Sequence, residues 1–437
     1  MDKSSIPPPD RQPDASLLPL AVAALLVGAA TGFIGAAFRI CLDRVADLRS
    51  TLVERAHLEG VAGLIAVIAA CAAATALAAW LVRRFAPRAS GSGIPHTEAV
   101  LDGELPPAPY LLIPVKFIGG VLAIGAGLAL GREGPSVQMG ASLAQMIGNG
   151  LRRNWADCRV LIAAGAGAGL ATAFNAPIGG AVFVLEELVR RFETRIAIAA
   201  LGASATAMYV ARIFLGDAPD FNVAALPYPS PQTSVLFLTL GIVCGFAAIV
   251  YNRTILATLN VADRLARWPV EIRAGVIGAA VGAIAWYAPN LVGGGESLTQ
   301  QTLSGELAVA SLAYVFVLRF ALGAVSYAAK TPGGLFAPLL VLGAQLGILF
   351  AVGCQFILPM TEAPAATLAV VGMAAFFTGV VRAPVTGVVL ITEMTGSFTL
   401  LLPMLAACYA AMLVPTLFKN APIYDSLREL DVRDGPR

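Results

Sequence analysis

The chain has 437 residues, 58% of them hydrophobic and 13% charged, with a formal net charge of +2 and a mean hydropathy of +0.79. A soluble protein carries about 25% charged residues, so this composition excludes an ordinary soluble domain and points to a polytopic, all-α membrane protein. Near-neutrality gives no long-range pull on nucleic acid. Two histidines and six scattered cysteines supply neither a zinc site nor a disulfide framework.

Residues 1–16 are polar and proline-rich and read as a disordered tail, with no cleavable signal because the apolar run that follows is too long. Leu17–Arg39 is long enough to cross about 30 Å of hydrocarbon, which takes about 20 residues. Val61–Val82 is a second run, and the Arg83, Arg84 and Arg88 that follow it favour the cytoplasmic side. Ser90–Pro95, Leu111–Leu130, a polar stretch around Glu133, Val160–Phe174, Ile178–Leu188 and Ile196–Leu215 come next. Asp217–Thr233 is the longest weakly apolar interval and reads as a midpoint linker. Beyond it lie Val235–Tyr251, Val270–Tyr287, Leu307–Ala329, Leu335–Leu358, Ala366–Val381, Val385–Thr395 and Leu400–Leu417. Several of these are too short for a full crossing, which predicts broken or re-entrant helices. The polar end after Asn420 leaves no expectation of an appended soluble domain.

The two halves repeat. Asn175-Ala176-Pro177-Ile178-Gly179 through Glu186 aligns without gaps on Arg382-Ala383-Pro384-Val385-Thr386 through Glu393. Lys116-Phe117 matches Arg319-Phe320, and Gly131, Pro135, Gly140 and Ala141 match Gly334, Pro338, Gly343 and Ala344. Three such frames in one order predict repeats of about 17–216 and 234–430, joined by the linker 217–233 and followed by a polar tail at 431–437. Paired segments interrupted by glycine and proline are a mark of transporters whose site lies between repeats near the bilayer midplane. An odd number of crossings per half makes the repeats antiparallel.

Chemistry is expected at the interruptions. Ser90–Pro95, Gly131–Pro135 and Gly333–Pro338 each set glycine beside a proline that can begin a helix. Converging helix starts offer backbone N–H donors and positive dipole ends without a formal cation, which suits a small anion that must bind and leave quickly. Ser92 adds a hydroxyl donor or else caps a helix. Glu133 is the odd residue at such a place. It either competes with the anion for the same N–H groups or forms an ion pair with Arg132 or Lys116. Glu186 and Glu187 close an apolar run before Arg190 and Arg191, either as an interfacial cluster or as acids facing a polar interior. Glu393 is the repeat mate of Glu186, which makes those two a structural pair and leaves Glu187 unmatched. Tyr424 follows Pro422 at a further helix start, as a second neutral donor or an interfacial anchor. Gly165-x-Gly167-x-Gly169 lacks the spacing of a nucleotide loop and reads as helix packing.

Gly91-Ser92-Gly93-Ile94-Pro95, Gly131-Arg132-Glu133-Gly134-Pro135, Gly334-Leu335-Phe336-Ala337-Pro338 and the late Tyr424 resemble the signatures of CLC chloride channels and transporters, over about 17–430. The resemblance implies two inverted-topology repeats of tilted, broken and re-entrant helices. It also implies a homodimer in the lipid bilayer with one anion pathway per subunit, in a bacterial inner membrane. It assigns chloride coordination to the hydroxyls of Ser92 and Tyr424 and the backbone amides of Leu335 and Phe336. Gly93, Ile94, Arg132, Gly134 and Ala337 supply helix-start backbone beside the path. Glu133 becomes the external gate and proton acceptor, and Glu187 the internal proton-transfer acid. Because channel members usually lack an acid at that position, Glu187 favours chloride/proton exchange over the alternative, a passive gated chloride channel. Ser92, rather than proline, favours chloride over nitrate. His96 departs from the acid often found after the first signature, with Glu98 two residues on. Chloride is then the substrate; no cofactor, no metal and no nucleic-acid partner is expected. No enzyme is expected either, since neither His57 nor His96 lies in an H-E-x-x-H motif.

Overall fold

In hydrocarbon every backbone N–H and C=O must be paired inside the protein, which leaves helices as the spanning solution for runs like these. The computed structural model describes residues 17–223, 226, 228, 233–357 and 365–433. The tail 1–16, much of the linker, Leu358 and the last four residues, where parts of the expectations fell, lie outside them.

The first half builds α1 (Leu17–His57), α2 (Val61–Phe85), α3 (Ile94–Leu101), α4 (Leu112–Gly125), α5 (Glu133–Gly150), α6 (Trp155–Phe174), α7 (Pro177–Phe183) and α8 (Thr194–Leu215). The second builds α9 (Ser234–Arg264), α10 (Val270–Tyr287), α11 (Glu296–Ser304), α12 (Val309–Tyr327), α13 (Phe336–Ile357), α14 (Ala365–Val381), α15 (Pro384–Thr395), α16 (Leu401–Leu417) and α17 (Ile423–Arg433). Among the described residues eight helices, α1, α2, α6, α8, α9, α10, α12 and α13, are long and apolar enough to span. The chain is therefore a multi-pass integral membrane protein.

Helix α6 is almost wholly buried and lies against α5 at backbone distance. A Cβ on Gly165 would stand 2.7 Å from that of Ala144, and one on Gly169 would stand 2.6 Å from the Ser136 carbonyl carbon. The glycine run is helix packing, as its spacing predicts. Two apolar runs extend further than hydropathy alone indicates. Helix α1 continues from Arg39 to His57, and α9 from Tyr251 to Arg264, because a helix carries on past the point where its side chains turn polar. The run Leu111–Leu130 does the opposite and stops at Gly125. Gly127 turns the chain at φ 104°, and Gly131 leaves to pair with Gly334.

Repeat symmetry is visible in backbone and side chains alike. Asn175 and Arg382, the mates that precede the two Ala-Pro pairs, both adopt left-handed φ, 50° and 77°. The Glu186 carboxylate accepts from Val385 N–H at 3.0 Å, Thr386 N–H at 2.6 Å and Thr386 Oγ1 at 2.7 Å, capping α15. Glu393 returns the contact, accepting from Ile178 N–H at 3.1 Å and Gly179 N–H at 2.7 Å at the start of α7. Each acid satisfies amides that a helix start leaves free, so the two are a structural pair. The buried cations are mates too. Lys116 Nζ donates to the carbonyls of Ala89 (3.1 Å) and Gly91 (2.7 Å), and Arg319 donates to those of Leu291, Gly293 and Gly294.

Candidate anion site and proton path

Three helix starts meet because extended backbone ties them together. Gly91 N–H donates to Thr331 O at 3.0 Å and Gly333 N–H to Gly91 O at 3.1 Å. Gly131 and Gly334 exchange both of their bonds, at 2.8 and 2.7 Å. The two links bring the starts of α3 and α5 to the start of α13.

Each start needs small residues. Gly93 precedes α3 at φ 84°, a left-handed conformation that L side chains rarely adopt. A Cβ there would also lie 2.7 Å from Gln138 Cβ. Gly134, in the first turn of α5, sits so close to Ser92 that a Cβ would be 2.5 Å from its Oγ and 2.6 Å from its carbonyl oxygen. Pro95 occupies an early position of α3, where no intrahelical N–H is required.

Polar atoms without a protein partner gather at this junction. Ser92 Oγ, Glu133 Oε2 and Tyr424 Oη are all buried and unpaired. A buried hydroxyl or carboxylate oxygen without a partner costs free energy, and three on converging elements mark a ligand-binding junction. Ser92 N–H donates to Tyr327 Oη at 3.4 Å, so a second phenol holds the serine from behind. Tyr424 lies in the first turn of α17, its ring stacked 6.2 Å from Phe336, which packs in turn on Phe174, Phe183 and Phe377. That aromatic wall fixes the phenol and removes bulk water.

Glu133 Oε1 accepts from Ala337 N–H at 3.1 Å, so the carboxylate lies on the N-terminus of α13. The alternative expectation, an ion pair with Arg132 or Lys116, is not what forms. Arg132 turns away to Glu296 (3.1 Å) and Asp220 (3.4 Å), and donates to Ala173 O at 2.9 Å, while Lys116 is occupied by carbonyls. Arg132 therefore contributes its backbone to the junction and its side chain to a neighbouring wall. That wall borders a cavity of about 320 Å³ lined by Asp43, Asp47, Arg49, Gly131, Arg132 and Glu296.

A second cavity, of about 570 Å³, is lined by Glu186, Glu187, Arg190, Arg382 and Pro422. Glu187 lies in a π-turn, Val184–Leu188, closed by the bond from Val189 N–H to Val184 O at 2.9 Å. Successive side chains of a helical turn point about 100° apart, so the two acids face different ways. Glu186 caps α15, and Glu187 is buried, 3.6 Å from Arg190 Nη2. Arg190 also pairs with Asp425 of α17.

Sequence reasoning missed Tyr327, Glu296 and Asp220. None lies in a glycine-proline interruption. Asp220 falls within the expected linker, yet it bonds Arg39 at 2.8 Å as well as Arg132, and the next residue donates N–H to Met394 O at 3.0 Å. His96, outside every apolar run in the sequence, is buried with Nδ1 3.3 Å from Gln138 Nε2. No cluster suited to a metal ion occurs among the described residues.

A profile of the voltage gated chloride channel family matches residues 74–416. The chain belongs to the voltage gated chloride channel, or CLC, family. It is 36% identical over 423 residues to the H(+)/Cl(-) exchange transporter ClcA of Salmonella arizonae, covering 95% of this chain and 89% of that one. Among solved structures, a slow cyanobacterial Cl-/H+ antiporter superposes with a TM-score of 0.91 at 31% identity, over 96% of this chain and 99% of the other. A CLC-type fluoride/proton antiporter shares the fold, at a TM-score of 0.80 and 22% identity, over 95% and 98% of the two chains. The fold is thus CLC-type, and the Gly-Ser-Gly-Ile-Pro and Gly-Arg-Glu-Gly-Pro segments lie where this CLC chain gathers its unpaired polar atoms.

Proposed function

We propose that this CLC chain exchanges chloride for protons across a bacterial inner membrane. The observation that carries the reading is the Glu133 carboxylate lying on Ala337 N–H. An ionised acid on a helix N-terminus occupies a place that a small anion would take, since both are held by the same dipole end and N–H donors. Protonation removes the charge that holds the acid there, so the side chain leaves carrying a proton and chloride enters. Exchange follows from that competition. A ClcA transporter and a cyanobacterial antiporter, whose names state Cl-/H+ exchange, are similar over nearly the full chain, which supports the same substrates here.

The site residues take these roles. Ser92 and Tyr424 donate hydroxyls to the central chloride, with the backbone amides of Leu335 and Phe336 beside them. Gly93, Ile94, Arg132, Gly134 and Ala337 supply helix-start backbone along the path. Glu133 receives protons from the side of the Arg132 cavity, and Glu187 receives them from the side of the Arg190 cavity. Chloride is cargo, and no cofactor or catalytic residue enters the scheme. Two repeats, about 17–216 and 234–430, flank the site, and the working unit is a homodimer with one pathway per subunit.

Reconstitution in liposomes with paired chloride and proton electrodes tests the reading. A chloride gradient should drive protons uphill in the native protein. Glu133→Gln should cut proton movement at least about tenfold while chloride still passes. Chloride flux in the native protein with no proton movement overturns exchange in favour of a passive pore.

A further inference from the structure

Arg190 serves two acids at once, and they belong to different parts of the proposed mechanism. It stands at φ 56°, a left-handed conformation rare for a residue with a side chain, and its Nε donates back to the Glu187 carbonyl at 3.1 Å. Nη2 then lies between two carboxylates. It bonds Asp425 Oδ1 and stands 3.6 Å from Glu187 Oε1. The second distance is beyond a hydrogen bond, and Glu187 Oε1, although buried, has no hydrogen-bond partner.

The two acids also line different cavities. Glu187 is on the wall of the cavity of about 570 Å³, and Asp425 is on that of a neighbouring cavity of about 450 Å³, while Arg190 lines both. Asp425 directly follows Tyr424 in the first turn of α17. The acid that occupies Arg190 is therefore one position along the chain from a hydroxyl assigned to the anion. Two further acids, Glu186 on the same turn and Glu98 on α3, are in electrostatic range of Glu187. Neither holds Arg190: Glu186 is bound to the start of α15, and the Glu98 carboxylate makes no hydrogen bond. Among the other cations here, Arg428 is held by Asp102 and Glu104, Arg382 by the Asn420 carbonyl and Arg191 by Glu193.

We propose that Asp425 is a positioning residue for the inward proton step: by occupying Arg190 it holds that guanidinium off Glu187 and keeps Glu187 able to take up a proton. This rests on the exchange reading and on Glu187 as the internal acid. A guanidinium in full contact with a carboxylate favours its charged form through short, charge-assisted bonds. Retained by Asp425, the same guanidinium stands at 3.6 Å and makes no such bond to Glu187 Oε1. Asp425 acts through Arg190 and touches neither the reacting carboxyl nor chloride.

The test is the pH dependence of the proton-to-chloride ratio in liposomes. In Asp425→Asn the guanidinium is released to close on Glu187, which then gives up its proton more readily. The alkaline fall-off of coupling should therefore move to lower pH by about one unit. Asp425→Glu should restore most of the native profile. Glu429→Gln, an exposed acid on the same helix and cavity wall, should leave it unmoved. Helix α17 keeps its Arg428 anchor in all of these variants, and Asp425→Ser repeats the measurement should the asparagine variant not fold. The deciding comparison is made in an Arg190→Gln background. There Asp425→Asn should shift the profile little, because the route through the guanidinium is gone. A shift of full size in that background means that Asp425 acts by its charge across space, and it overturns the positioning role. An Asp425→Asn profile superposable on the native one overturns it too, while leaving exchange intact. Native pumping in Glu187→Gln overturns the internal acid and this proposal with it. A native chain that moves chloride without protons overturns exchange itself.

Discussion

In the proposed exchange, Glu133 shows how little the conversion between states requires. One oxygen accepts a single amide at 3.1 Å and the other is unpaired, so one proton would be enough to change which ligand the α13 terminus prefers. The same proposal has the hydroxyls beside it act on the anion directly. A hydrogen bond to a charged group is worth about 1.5–3 kcal/mol, so Ser92→Ala or Tyr424→Phe should weaken central anion binding roughly ten- to hundredfold. Bromide occupancy by anomalous scattering measures this; full occupancy in either variant removes that hydroxyl from the site. Gly134→Ala should do comparable damage by geometry, because its Cβ would be driven against Ser92 Oγ and carbonyl oxygen. Ser92, Glu133 and Tyr424 were legible because polar residues beside glycine and proline have no place in a simple span. Tyr327, Asp220 and Glu296 were not. Each reaches the site from a segment whose local sequence gives no sign of what it meets.

At the level of elements, the adjacent acids Glu186 and Glu187 face different ways because successive side chains of a helical turn do, Glu186 onto the start of α15 and Glu187 toward Arg190. Glu186→Gln removes the charge from a cap that accepts three bonds at the start of α15. The loss should be about 1–2 kcal/mol, seen as a fall of roughly 1–2 °C in the apparent melting temperature in detergent. Proton coupling should persist, since Glu187 is untouched; loss of coupling at unchanged stability would contradict the division of labour.

Helix α17, which carries Tyr424, is held at its middle by Arg428. Two of its nitrogens lie 2.8 Å from the Glu104 carboxylate, and a third lies 2.6 Å from Asp102. The guanidinium bonds keep the Glu104 carboxyl below its ordinary value. A group whose folded value is lowered stabilises docking above the ordinary carboxylate range and loses that contribution as pH falls through the lowered value. Exposed pairs are worth at most about 1 kcal/mol, so the effect is local. Hydrogen-exchange protection across Ile423–Arg433, taken relative to the intrinsic rate at each pH, should fall severalfold in acid, and Arg428→Ala should show the same loosening at neutral pH. Protection flat with pH would mean that packing of Ile423 and Leu427 alone seats the helix. Helix existence was legible throughout this region. Helix ends were not, because α1 and α9 run past the apolar boundary, whereas α4 is cut short by a turn whose purpose lies in the other repeat.

The whole molecule joins two repeats at the points where each is least able to satisfy itself. Helix starts of one half are capped by acids of the other, and the broken ends of both meet where Gly131 pairs with Gly334. The repeat frames marked Gly131 and Gly334 as mates, although sequence gives neither the bond between them, the direction of a crossing nor the path of the chain between frames. A consequence concerns subunit number. Ser92, Glu133, Phe336 and Tyr424 come together within a single chain, so the proposed homodimer would carry one complete site in each subunit. In a tandem-linked dimer with one native subunit and one Glu133→Gln subunit, the native pathway should work undisturbed. Proton flux should then be about half that of the native pair at the same chloride gradient. Flux near zero would show that the two gates move together, and the site as drawn from one chain would lack a component.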